Sequence, residues 1–195
     1  KGLTDKKEVS IISGGQVKYL ELQVEDGKVV TVKVNMGKPV LAPAEIPVVM
    51  PGSMESAVDV PIIVDGKTHY MTCVSMGNPH AVIFVNDVSE LDLEKIGPLF
   101  EKHELFPRRV NTEFVKVVDK NHVEMRVWER GSGETLACGT GSCAAVAACV
   151  LNGLTDNSVT VKLLGGELFI EWDREADLIY MTGPATTVYE GMYDF

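Results

Sequence analysis

The chain has 195 residues, with 18 Lys and Arg against 28 Asp and Glu, a formal charge of −10 at pH 7. This is length for one large domain or two small ones, and 45% hydrophobic residues supply a core, which excludes disorder as the default state. An acidic chain without a basic block is a poor ligand for nucleic acid or an anionic membrane surface, and no apolar run approaches the roughly 18–20 residues of a bilayer span.

In chain order the pattern is strand-rich. Val17 to Gln23 and Val29 to Val34 alternate on either side of Glu25-Asp26-Gly27-Lys28, which predicts a hairpin. Leu41 to Pro51 carries three prolines and reads as a connector. Val60 to Val64, Thr68 to Val74 and Ala81 to Val85 read as short strands. Leu91 to Lys102 has apolar residues nearer to helical than to strand period. Val110 to Val118 and His122 to Trp128 form another strand pair around Asp119-Lys120-Asn121. Ser142 to Leu151 is small, apolar and without a polar face, which predicts a buried helix. Val159 to Leu164, Glu167 to Asp173 and Leu178 to Thr182 are strands again. The expected class is α+β: a mostly antiparallel sheet wrapped around one or two helices.

An internal repeat organises the chain. Gly2-Leu3-Thr4-Asp5 recurs as Gly153-Leu154-Thr155-Asp156, followed in each copy by a β-type triplet (Val9 to Ile11, Val159 to Val161). A double glycine (Gly14-Gly15, Gly165-Gly166) and a hairpin come next, ending near Met36-Gly37 and Met181-Thr182-Gly183. In the second copy a Gly/Cys-rich loop and the buried helix precede the repeat. Their counterparts in the first copy would lie upstream of Lys1, so the chain is expected to be the C-terminal part of a longer protein.

Four cysteines are present. There is no Cys-x-x-Cys and no Cys/His pair at zinc spacing, so neither a structural zinc site nor any other metal is expected. Unpaired thiols fit a reducing, cytoplasmic setting. Cys143 and Cys149 fall inside the Ala-rich helix and read as packing residues. Cys138 differs, because Gly139-Thr140-Gly141 follows it and leads into that helix. Free N–H groups at a helix start bind anions and favour a thiolate, which places Cys138 to be a thiolate while the amides could hold a carboxylate.

The run from Glu129 to Ala145, ERGSGETLACGTGSCAA, resembles the second cysteine motif of the diaminopimelate epimerases. Gly77-Asn78-Pro79-His80-Ala81-Val82 resembles that family's Asn-Pro-His segment, and Arg109 to Phe114 (RVNTEF) its later asparagine segment. The resemblance runs from Lys1 to Phe195. It implies a cofactor-free, pyridoxal-free isomerase of lysine and cell-wall precursor synthesis that interconverts LL- and meso-diaminopimelate. Two cysteines on opposite faces of the α-carbon act there as thiolate base and thiol acid. By motif match Cys138 is one of the two. Gly139 and Thr140 would offer backbone N–H groups to the substrate carboxylate. Glu129 and His80 would tune protonation and meet the α-amino group, and Asn78, Asn111 and Arg130 would hold the distal amino-acid end. The resemblance further implies a homodimer of two pseudo-symmetric halves, each a sheet curled around a helix. Residues 1–38 and 184–195 would belong to the first half and residues 39–183 to the second.

One departure bears on activity. The first cysteine motif is not in these 195 residues; Cys143 and Cys149 fall in the buried helix of the same half, and Cys73 in a strand without flanking glycines. The chain by itself is therefore expected to be inactive. Proline-racemase-like enzymes share the two-cysteine logic, but the ERGSGET lead-in and the Asn-Pro-His segment favour diaminopimelate. Phenazine-pathway isomerases share the fold type without depending on such cysteines. A non-catalytic diacid-binding fragment is the alternative from another class. A thiol redox protein is remote, since no resolving cysteine lies at short spacing.

Overall fold

Twelve strands and two helices make up the computed structural model, which describes residues 4–13 and 15–193. The strands are β1 (Glu8–Ser13), β2 (Gln16–Glu25), β3 (Lys28–Gly37), β4 (Val60–Val64), β5 (Lys67–Ser75), β6 (Pro79–Phe84), β7 (Asn111–Val117), β8 (His122–Glu129), β9 (Gly133–Thr135), β10 (Ser158–Leu163), β11 (Gly166–Asp173) and β12 (Leu178–Pro184). The helices are α1 (Leu93–Glu101) and α2 (Gly139–Leu151). Eleven strands form one continuous sheet in the order β1-β2-β3-β12-β11-β10-β8-β7-β6-β5-β4, and β9 pairs with β8 off this path. Pairing is antiparallel except at β6/β7 and β8/β10, so the architecture is the expected α+β class with a mixed sheet.

The helices lie on opposite faces and divide the core. α2 packs against β5, β6, β7, β10, β11 and β12, and its nine residues Gly141 to Cys149 are all buried. Its small side chains let the curled sheet close around it, with Val82, Val115, Val127, Val161, Ile170 and Ile179 as neighbours in the cluster. A helix buried all round has no polar stripe, which accounts for its sequence. α1 covers the other face, where Phe100, Phe114, Trp128 and Ile83 form a second cluster. Leu93, Gly97, Phe100 and Glu101 face inward from it. The proline-rich 41–51 stretch contains no strand, yet it contributes Ile46 and Val48 to the second cluster.

The repeat is visible in the hydrogen-bond register. β1 pairs with β2 from Glu8↔Glu21 to Ser13↔Gln16, and β10 pairs with β11 from Ser158↔Glu171 to Leu163↔Gly166, the same ladder shifted by 150 residues. β2/β3 and β11/β12 also share a register: Leu20↔Val34 matches Ile170↔Met181, and Gln23↔Thr31 matches Asp173↔Leu178. The second meander has a turn three residues shorter, so β12 follows β3 at a shift of 147. β3 and β12 pair with each other, and Val34 lies directly opposite its own counterpart Met181. A local two-fold axis therefore passes through that pair. Gly2, Leu3 and Gly14, landmarks of the first copy, lie outside the described residues.

Candidate functional site

The parallel β6/β7 pair sets His80 beside Asn111 and Val82 beside Glu113. In a strand, residues two apart share a face, so one face carries His80, Asn111 and Glu113 toward the start of α2. Nothing in the alternation marks this face, because β6 and β7 are both covered on both sides. The loop between β8 and α2 turns sharply at Gly131 and Gly133, each with φ +82°. That backbone region suits glycine. The loop is then held by Arg126, whose Nε and Nη2 donate to Glu134 Oε1 and Oε2 at 2.7 and 2.9 Å. This planar fork-to-fork pairing fixes orientation as well as charge. Glu101 anchors the loop from α1, accepting from Trp128 Nε1 at 2.7 Å, the Gly131 N–H at 3.1 Å and Arg109 Nη1 at 3.3 Å.

Cys138 is the N-cap of α2. Its Sγ accepts the Gly141 N–H at 3.3 Å, and its carbonyl accepts both Ser142 N and Ser142 Oγ. Helix geometry leaves the N–H groups of Gly139 and Thr140 without intrahelical acceptors, so two oriented donors flank the sulfur. The helix begins at Gly139, three residues earlier than periodicity suggested, because Cys138 itself supplies the cap. The thiol is only 7% exposed. Burial, and next the charge of Glu113, push it up to about 11, while hydrogen bonds from Thr140 and Gly141 pull the other way. The helix start favours the thiolate, as the sequence predicts. That effect is present, but desolvation outweighs it.

The remaining candidates take up definite positions. His80 is fully buried, with Nδ1 2.7 Å from Glu113 Oε1 and Nε2 2.9 Å from Asn78 Oδ1. Asn78 Nδ2 donates to Thr140 Oγ1 at 3.3 Å, and Thr140 Oγ1 lies 3.6 Å from Cys138 Sγ. Glu129 is half-buried and accepts the Thr135 hydroxyl. Asn111 Oδ1 accepts the Arg130 N–H at 2.8 Å, and the exposed Arg130 guanidinium donates to Arg108 O at 3.0 Å. The structure thus joins His80, Asn78, Thr140 and Cys138 in one chain of contacts and joins Asn111 to the Arg130 backbone. Cys73, Cys143 and Cys149 are free thiols at 1% exposure or less, pushed up to about 12, foremost by burial. Sequence reasoning passed over Glu113, Glu101 and Thr135. No local signal marked the first, since β7 (NTEFVKV) also carries Asn111, Thr112 and Lys116.

A family model described as diaminopimelate epimerase matches residues 72–188. The diaminopimelate epimerase of Agathobacter rectalis is 55% identical over 98% of this chain and 69% of its own length. The chain belongs to the diaminopimelate epimerase family. That of Methanococcus maripaludis is 55% identical across the whole chain and 69% of its length, and that of Acetivibrio thermocellus 53% with the same coverage. The chain therefore spans about 69% of these relatives. Among solved structures, a hydroxyproline epimerase from Agrobacterium vitis superposes with a TM-score of 0.64 at 15% identity, covering 93% of this chain and 58% of that one. A PhzF-family phenazine biosynthesis protein from Bacillus anthracis gives 0.57 at 14%, covering 93% and 66%. These two likenesses establish the shared fold, and the sequence relatives establish the family. This family member carries the second cysteine motif in folded form, with the sulfur at the head of its buried helix. Among the described residues, no helix is long and apolar enough to cross a membrane.

Proposed function

We propose that this chain supplies one of the two acid–base cysteines, and one wall of the substrate cleft, for interconversion of LL- and meso-diaminopimelate. The observation that carries the reading is the placement of Cys138. Its sulfur caps a thirteen-residue buried helix whose next two N–H groups are free to hold a carboxylate. Cys138 as thiolate takes the α-proton; as thiol it returns one from the same side. Gly139 and Thr140 amides hold the α-carboxylate, whose negative charge grows as the carbanion forms, so the donors act where charge develops. Glu129 and His80 are read as tuning protonation and meeting the α-amino group, the buried His80 through its neighbours, and Asn78, Asn111 and Arg130 as holding the distal end. With the thiol near 11, ionising it at pH 8 costs about 4 kcal/mol. Substrate binding must offset this by closing the site around the sulfur and bringing in the substrate ammonium.

Residues 1–38 and 184–195 are read as part of the first half, residues 39–183 as the second, and the working enzyme as a cytoplasmic homodimer. The other three cysteines are core residues, so the chain alone presents one face of chemistry. Deuterium entry at the α-carbon of diaminopimelate, followed by mass spectrometry, tests the reading. In the enzyme assembled with a second cysteine face, exchange and epimerisation are expected, both abolished by Cys138→Ser. The 195 residues alone are expected to give no epimerisation. Turnover by the chain alone, or exchange into proline in preference to diaminopimelate, would overturn it.

A further inference from the structure

The His80 ring lies between two acceptors. Nδ1 faces Glu113 Oε1 at 2.7 Å, and Nε2 faces Asn78 Oδ1 at 2.9 Å. The Asn78 amide is oriented by its other end, because Nδ2 donates to Thr140 Oγ1. With Oδ1 toward the ring, Nε2 must carry a proton. Thr140 Oγ1, having accepted from Asn78, has its own hydrogen free for Cys138 Sγ at 3.6 Å. From His80 onward every donor points the same way, and the last one ends on sulfur.

Glu113 closes the other end. It is fully buried, Oε1 bonds the ring, and Oε2 has no partner among the described residues. Its carboxyl group reaches this position only because residue 141 is glycine: a Cβ there would lie 2.7 Å from Oε1 and 3.1 Å from Cys138 Sγ. With Nε2–H committed to Asn78, the Nδ1–Oε1 contact holds one further proton, on the ring or on the carboxyl. The pair is then electrically neutral, which is what a fully buried pair requires.

We propose that Glu113 is a positioning residue for the cysteine chemistry: it fixes His80 with Nε2–H toward Asn78, so that His80, Asn78 and Thr140 donate in sequence to the Cys138 sulfur. The assignment rests on Cys138 being the acid–base group. The titratable groups acting on that sulfur are Glu113 from β7 and Glu129 from the end of β8; the sulfur acts in turn on Cys143 of α2, as does Lys18 of β2, and His80 of β6 reaches it only through Asn78 and Thr140. The directed chain works against burial, the largest effect opposing thiolate formation.

The test needs no turnover, so its failure is separable from failure of the epimerase reading. In the 195-residue chain, nitrogen-15 NMR of His80 is expected to show a protonated Nε2. Glu113→Gln keeps it, since the amide N–H can donate to Nδ1; Glu113→Ala loses it. Alkylation of Cys138 by iodoacetamide, mapped by peptide mass, supplies the second readout. Glu113→Ala is expected to slow it about tenfold near pH 9, as loss of a hydrogen bond to a charged group would, and Glu113→Gln to restore it. If Glu113→Ala does not fold, Thr140→Val must give the same slowing. An unprotonated Nε2 in the wild type would overturn the proposal. So would unchanged alkylation in Glu113→Ala or Thr140→Val, or faster alkylation in both Glu113 variants. Acceleration in both would mean that Glu113 acts only as a negative charge.

Discussion

Replacing Gly97 by alanine sets two effects of opposite sign against each other. In an exposed helix interior the change stabilises by about 1 kcal/mol, because alanine has the higher helix propensity. At Gly97 the added Cβ would fall 2.3 Å from Trp128 Cδ2, 2.5 Å from Cγ and 2.6 Å from Cε3. The indole has nowhere to retreat. It is buried, Gly133 flanks its far edge, where a Cβ would lie 3.5 Å from Cη2, and its Nε1 bonds Glu101 Oε2 at 2.7 Å. Overpacking of this kind costs about 1–3 kcal/mol. If the ring moves, the buried Glu101 carboxylate loses a donor, at about 1.5–3 kcal/mol. Subtracting the propensity gain leaves a net loss of about 2–4 kcal/mol. For a chain of this size each kcal/mol lowers Tm by roughly 2–4 °C, so a fall of about 5–15 °C is expected. Thermal and urea unfolding followed by far-UV circular dichroism and tryptophan fluorescence would measure it. A variant as stable as the wild type, or more so, refutes the packing argument and leaves propensity as the stronger effect.

Two further outcomes concern titratable groups. Glu101 is opposed by its own burial, but hydrogen bonds from Trp128, Gly131 and Arg109 hold it below the usual carboxylate range. Its folded value lies below the unfolded one, so its stabilisation is present above about pH 4.3 and lost as pH falls through the folded value. Glu101→Gln should therefore lower stability at pH 7 by about 2 kcal/mol and flatten the acid side of the urea-midpoint profile; an unchanged acid slope contradicts this. Cys138, pushed up to about 11, should react with iodoacetamide at pH 8 roughly a hundredfold more slowly than a free thiol. Its rate should climb about tenfold per pH unit as the thiolate fraction grows. A plateau below pH 9 would show the sulfur to be better stabilised than its burial suggests.

The hairpins, the buried helix and the repeat were legible because each leaves a local mark: alternation around Asp26-Gly27, an Ala-rich run without a polar face, and matching landmarks about 150 residues apart. Cys138 was legible through its flanking glycines. What escaped were features made by contact between distant segments. β9 is only Gly133–Thr135, and Arg126 is what holds it, from a neighbouring strand. Glu113 gains its meaning from His80, thirty-three positions away, and from the missing side chain at Gly141. The upward push on the Cys138 thiol follows from burial, which motif spacing does not encode.

At the pairing of β3 with β12, Val34 faces its own duplicate Met181. A strand that meets its own copy across a two-fold axis has the isologous geometry of a homodimer contact. The seam of this sheet thus preserves the form of an interface between two identical half-molecules, turned by duplication into an internal join. Association that would once have depended on concentration has become intramolecular. The segments outside the shared ladder are thereby free to diverge, while the ladder keeps the two copies in register.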